Sequence, residues 1–148
     1  MTVELKNYLQ TLAEKSIDKD NVVMNIGLLL EKNNSKNNPT DYSLLLPQYL
    51  VNLSLSQKDI DEIVNSLLIL LKNEPVYSSR IVWSIGKTFN EKKIEDMLSI
   101  ISQMKYCDEE TFKQINFLVD VVKNERINQL VDEINLLRKT NIQEFKEG

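Results

Sequence analysis

The sequence predicts an all-α chain, built as a short solenoid of about four antiparallel helix pairs. Three observations predict it. Both helix breakers are scarce, with three Gly and three Pro in 148 residues, whereas a sheet protein needs more glycine for its tight turns. Long Leu/Ile/Val-rich segments repeat at a fixed period, the mark of a chain assembled from equal helical units. Good capping residues stand where those units begin.

The repeat emerges when the chain is slid along itself. "IDEIVNSLLILL" begins at Ile60, "IEDMLSIISQM" at Ile94 and "INQLVDEINLL" at Ile127, at offsets of 34 and 33 residues. Each copy carries apolar residues at its first, fourth, fifth and eighth positions. These are Ile60, Ile63, Val64 and Leu67; then Ile94, Met97, Leu98 and Ile101; then Ile127, Leu130, Val131 and Ile134. That spacing lays an apolar stripe along one face of a helix. Ile26, Leu29 and Leu30 form a fainter earlier copy.

Partner helices fill the gaps. Val82, Ile85 and Phe89 align with Ile115, Leu118 and Val122, and more weakly with Val51 and Leu55. The predicted pairs are 3–16/21–32, 42–55/57–72, 76–89/91–104 and 109–123/125–138. Ser56 with Asp59 resembles a capping box, Asn90 and Asp108 are good N-caps, and Pro75 suits a first turn. Pro47 should kink or delay the third helix, because it removes one hydrogen bond. The polar run 33–39, "NNSKNNP", reads as a loop. Residues 1–138 are expected to form one helical-repeat domain, with 139–148 a frayed tail.

The segment "RIVWSIGKTFNEKK" holds the only tryptophan and one of the three glycines. By the repeat, Gly86 aligns with the core position Val119, so it is expected to let a neighbouring helix approach closely. Trp83 aligns with Tyr49 and Asn116 at the edge of the stripe. A large aromatic there most often seals a seam between helices, but tryptophan is also enriched among interface anchors. Trp83 and Tyr49 are therefore candidate partner-binding residues.

Several function classes are poorly served by this composition. The chain has no histidine and one cysteine, Cys107. Ser-His-Asp and Cys-His nucleophiles and most zinc sites are thereby ruled out, and no internal disulfide can form. No glycine-rich phosphate loop is present. Net charge is −4 with only three Arg, which disfavours nucleic acid and favours a basic protein as partner. The N-terminal segment mixes acids with bases and does not read as a signal peptide, and no apolar run reaches the roughly 18 residues that span a bilayer. The expectation is a cytoplasmic protein that is not an enzyme and needs no metal, cofactor, small-molecule substrate or membrane.

Adjacent carboxylates occur at Asp61/Glu62, Glu95/Asp96, Glu109/Glu110 and Asp132/Glu133. Neighbours on a helix point about a hundred degrees apart, so each makes a poor catalytic dyad. The first three pairs sit in predicted first turns, where acids favour the helix dipole by roughly 0.3–1 kcal/mol. The repeat nevertheless aligns Asp61 with Glu95 and Glu62 with Asp96. Stacked pairs would gather these four acids and Asp59 into one ledge, with Asn65, Ser99 and Asp132 as a polar column one turn on. A solvated face is the plain reading; an acidic binding ledge is the functional one.

The apolar-aromatic helix "VWSIGKTF", the turn "NEKK" and the helix "IEDMLSII" together resemble HEAT-type repeats, over 75–138 and more faintly over 41–74. The resemblance implies a short right-handed α-solenoid in which second helices line a concave face. Short, acidic, HEAT-like chains without catalytic signatures are similar in type to the helical immunity proteins of bacterial polymorphic-toxin and contact-dependent growth-inhibition systems. That resemblance implies binding and neutralisation of a cognate toxin domain, a basic nuclease being the expected kind. The alternative is a HEAT-like scaffold that holds a peptide or helix in its groove. A HEAT-like DNA glycosylase would need basic residues where this chain places acids.

Overall fold

The computed structural model describes residues 1–15, 18–34, 40–104 and 107–147, with side-chain environments given as far as Arg138. Among the described residues every regular element is helical and none is a strand. Eight α-helices appear: α1 (Val3–Gln10), α2 (Asp20–Asn34), α3 (Gln48–Val51), α4 (Gln57–Asn73), α5 (Ser78–Gly86), α6 (Glu91–Ser102), α7 (Glu109–Val121) and α8 (Glu125–Glu147). Short 3-10 turns occupy Thr11–Ala13, Tyr42–Leu44 and Pro75–Tyr77.

Helix starts follow local side-chain chemistry. Ser56 Oγ accepts the Asp59 amide and Asp59 Oδ2 accepts the Ser56 amide, both at 3.1 Å, closing a capping box at α4. Asn90 accepts the Lys93 amide at 3.1 Å, and Asp108 accepts the Thr111 amide at 2.7 Å. Each such cap satisfies an otherwise orphaned N–H and contributes about 1 kcal/mol. Pro75 opens the turn into α5, where its missing N–H removes no helical bond.

The helices gather into two compact units, Met1–Thr88 and Phe89–Gly148. In the first unit, Ile63, Val64 and Leu67 of α4 are buried as the stripe requires, and so are Ile26, Leu29 and Leu30 of α2. The main contact is between α2 and α5, which run side by side in the same direction. Arg80 donates to Asp20 at 3.2 and 3.3 Å, Ser84 Oγ donates to the Val23 carbonyl at 2.8 Å, and Lys87 Nζ lies 2.7 Å from Glu31. In repeat terms this contact skips the second pair, which strict nearest-neighbour stacking does not call for.

The reason lies in the skipped segment. A helix over 42–55 does not form; a 3-10 turn and the four-residue α3 stand in its place. Pro47 is the N-cap residue of α3, so the helix starts only after it, the delay expected of it in place of a kink. Lys32 of α2 donates to the carbonyls of Val51 and Leu53, supplying partners just past the end of α3.

Close helix approach in this unit is made at Gly27, which the repeat does not single out; Gly86, which it does, is buried. A β-carbon on Gly27 would come within 2.5 Å of Trp83 Cζ3. Residue 27 must therefore be bare for the indole to lie across α2. The helix predicted to run to residue 89 also stops early. Thr88 donates its amide and its hydroxyl to the Ile85 carbonyl, at 3.0 and 2.7 Å. Phe89 follows with φ 49°, a left-handed conformation rare for a bulky residue. Its ring is 55% exposed instead of joining the stripe of Val82 and Ile85.

In the second unit, Ile94, Met97, Leu98 and Ile101 of α6 are buried, as are Ile127, Leu130, Val131 and Ile134 of α8. Asn124, the residue before α8, donates to Glu91 at the start of α6 at 2.9 Å. Near the end of its described side chains, α8 presents Arg138, whose Nε donates to Glu109 at 2.9 Å and whose guanidinium lies 5.2 Å from the Phe112 ring. The backbone of α8 continues as helix to Glu147, past residue 138, where the apolar period of the sequence stops and the tail is expected to fray.

Candidate functional site

The predicted acidic residues fall on two helices. Asp59 lies in the first turn of α4 in the first unit, with Asp61, Glu62 and Asn65 farther along the helix; Glu95, Asp96 and Ser99 occupy the middle of α6 in the second, so neither adjacent acid pair stands in the first turn where the sequence places it. Helix geometry groups Asp61, Glu62 and Asn65, because residues three and four apart are surface neighbours.

Each acid has its own surroundings. Asp59 belongs to the capping box, and the Met1 nitrogen lies 3.5 Å from its Oδ1. The Ser56 amide donated to Asp59 holds its carboxyl below the usual range. Asp61 accepts from Gln57 Nε2 at 3.1 Å, whereas Glu62 and Asn65 stand exposed. On α6, Asp96 is exposed and pairs with Lys92 one turn earlier at 3.0 Å, so part of its charge is compensated locally. Glu95 and Ser99 are half-buried, and the Ser99 carbonyl accepts the Ser102 hydroxyl at 2.8 Å. Asp132 and Glu133 of α8 are exposed.

The two candidate aromatics differ. Trp83 is half-buried, with one ring edge over Gly27, and its own helix brings two cations to it: Arg80 at 5.6 Å and Lys87 at 4.9 Å from the ring. Those cations are in turn paired with Asp20 and Glu31 of α2. The indole thus sits at the centre of the α2–α5 seam. Tyr49 of α3 is 47% exposed and meets Tyr8 of α1 edge to face, with centroids 6.1 Å apart and planes at 71°.

Two concavities lie in the first unit. One, of about 530 Å³, runs between Leu9 and Leu12 on one side and Ile69 and Leu70 of α4 on the other, with Asn73 and Glu74 at its edge. The second is a shallow depression of about 400 Å³ lined by Glu4, Asn7, Tyr8, Thr11 and Tyr49. No protein-family model, curated protein or solved structure matches this chain. The chemistry of its own surfaces carries the functional reading.

Cys107 is buried, and burial, reinforced by the Asp108 charge, pushes its thiol up to about 12, so it stays protonated. No group of three or more His, Cys, Asp or Glu is placed to hold a metal ion among the described residues. Nor is any helix among them long and apolar enough to cross a membrane.

Some functional groups escape the sequence reading. Lys19 is fully buried and ion-paired with Glu74, and its amide donates to Tyr77 Oη at 3.1 Å. A lysine in sequence signals surface, and only the fold reveals this one inside. Tyr8 and Glu4 are equally silent, because the repeat alignment that singles out Tyr49 assigns neither of them a position.

Proposed function

We propose that this chain is an immunity-type binding protein that neutralises a cognate, basic toxin domain by covering its active site or substrate surface. The observation that carries the reading is the set of carboxylates at the surface of α4 and α6, Asp61 and Glu62 on one and Glu95 and Asp96 on the other. These side chains can meet Lys and Arg without opening the core, and such charge complementarity accelerates association and selects the partner. The protonated, buried thiol of Cys107 agrees with a role that needs no nucleophile.

The architecture proposed for this role is a HEAT-like right-handed solenoid of antiparallel helix pairs. The ion pair from Arg138 to Glu109 supports it in the second unit, because it sets a turn just past the middle of α8 beside the first turn of α7. The parallel course of α6 and α8 implied by Asn124 and Glu91 supports it too. Within the first unit, the α2–α5 contact makes the proposed solenoid irregular.

A second reading, a scaffold holding a peptide or helix, draws on the groove between Leu12 and Leu70. Co-expression separates the two. The chain should restore growth to bacteria that express the toxin domain encoded beside its own gene, and should leave a gel-filtration column with that toxin as one complex. Survival without improvement, or a neighbouring reading frame that encodes no toxin, overturns the immunity reading.

A further inference from the structure

We propose that Tyr8, Tyr49 and Glu4 form a receptor corner for one lysine or arginine side chain of the protein partner. The inference rests on the reading of that partner as basic, and it adds a contact point away from the acidic residues of α4 and α6.

Glu4, Tyr8 and Thr11 follow one another at helical spacing along α1 and the turn after it, so they share a face. Tyr49 of α3 comes against that face with its ring nearly perpendicular to that of Tyr8. Two rings at this angle make the walls of a corner, and Glu4 lines the same depression. Tyr8 is fixed in place: its hydroxyl accepts from Asn25 Nδ2 at 2.8 Å. Ring faces carry negative quadrupole charge and attract ammonium or guanidinium groups, and a carboxylate at the rim adds a full opposite charge. An apolar side chain could touch the rings but would gain nothing from Glu4.

Two other aromatics of this chain make the contrast. Trp83 is attended by Arg80 and Lys87, and Phe112 by Arg138. Among the described residues no cation of the chain stands over Tyr8 or Tyr49, and none pairs with Glu4. The corner offers the same chemistry that the chain satisfies internally at Trp83, and leaves it open to an external cation.

The test is an NMR titration of the full chain, following the tyrosine ring signals, with three blocked tripeptides: glycyl-lysyl-glycine, glycyl-arginyl-glycine and a norleucine counterpart. Both basic peptides should shift the Tyr49 and Tyr8 signals saturably, with midpoints on the order of millimolar, and norleucine should not. Tyr49→Leu and Glu4→Gln should each weaken the basic peptides roughly two- to fivefold, whereas Tyr49→Phe, which keeps the ring face, should retain them. Equal shifts with norleucine, no shifts at all, or unchanged lysine binding in a folded Tyr49→Leu chain would overturn the proposal. The titration uses no toxin, so its failure leaves the immunity reading standing on the α4 and α6 acids. Cation binding without protection in cells would remove the immunity reading and keep the corner.

Discussion

A β-carbon at residue 27 would stand 2.5 Å from Trp83 Cζ3 and 2.7 Å from Ser84 Oγ, so Gly27 and Trp83 fit together only because one of them is bare. The bareness has a cost, since glycine inside a helix is about 1 kcal/mol worse than alanine. Overpacking a well-filled seam costs typically 1–3 kcal/mol, so the steric term should win. Gly27→Ala is expected to destabilise the chain by about 1–2 kcal/mol in urea melts. In a Trp83→Leu background the same change should cost less, because the ring that it strikes is gone and only the contact with Ser84 Oγ remains. Additive effects within about 0.5 kcal/mol would show that the two residues are not coupled.

Lys19 and Glu74 make a second pair with unequal consequences. Removing the carboxylate strands a buried ammonium, a loss of roughly 3–5 kcal/mol in fully buried pairs. Glu74 keeps 34% of its side-chain exposure, so water can take over part of its role and the lower end is expected. Lys19→Met removes the charge together with its desolvation cost and should change stability by less than about 1 kcal/mol. Equal losses in both variants would mean that the lysine contributes through packing and not through its charge.

These two relationships show where the sequence stops being informative. The stripes on α4, α6 and α8 are legible because burial of one helix face imposes a period that no partner needs to supply. The caps at Ser56, Asn90 and Asp108 are legible because cap and target lie three residues apart. Gly27 carries no mark in sequence, and only the indole that arrives over it shows why the position is bare. The α2–α5 register depends on the collapse of segment 42–55 around Pro47, and that is a tertiary outcome. For the candidate site, the acids are visible as adjacent carboxylates at matching repeat positions and Tyr49 as an aromatic at a repeat position. Tyr8, which completes the corner, carries no such mark.

Strain at Phe89 gives a third expectation. A left-handed backbone costs a side-chain-bearing residue about 1 kcal/mol or more, and most of all a β-branched one. The 55% exposed ring of Phe89 offers only partial compensation through burial. Phe89→Gly should be neutral or raise the melting temperature by a few degrees, while Phe89→Val should lower it. The opposite order would place Phe89 in a packing role that its exposure does not indicate.

Acid sensitivity follows from Glu31, which accepts Tyr42 Oη at 2.9 Å and lies 2.7 Å from Lys87 Nζ. Burial alone would raise its pKa, but the hydrogen bonds from Lys87 and Tyr42 outweigh it and hold the carboxyl below its ordinary value of 4.5. A carboxyl depressed in the folded state stabilises that state above its unfolded pKa, and the contribution is lost as pH falls through the folded pKa. Wild type should therefore melt well above Glu31→Gln near neutral pH, and the gap should narrow as the pH falls below 4.5. A gap that stays constant with pH would assign the loss to altered packing.

The acidic residues of α4 and α6 decide between neutralisation of a basic toxin and scaffolding. If Asp61 and Glu95 face Lys or Arg around the toxin's cleft, reversing either to Lys turns attraction into repulsion. Close interfacial charge pairs couple by roughly 1.5–7 kcal/mol, so binding and protection should fall clearly, most of all at low salt, where screening is weakest. The fold should survive, because charges at this level of exposure are worth only about 0–1 kcal/mol to stability, and circular dichroism should match wild type. Asp132 and Glu133, exposed on α8, serve as the control pair. A control that matters while Asp61 and Glu95 do not would reduce the α4 and α6 acids to solvated surface charges and move the binding face. If neither pair matters and no toxin is retained, the groove beside Leu12 and Leu70 becomes the surface to probe, and the scaffold reading takes precedence.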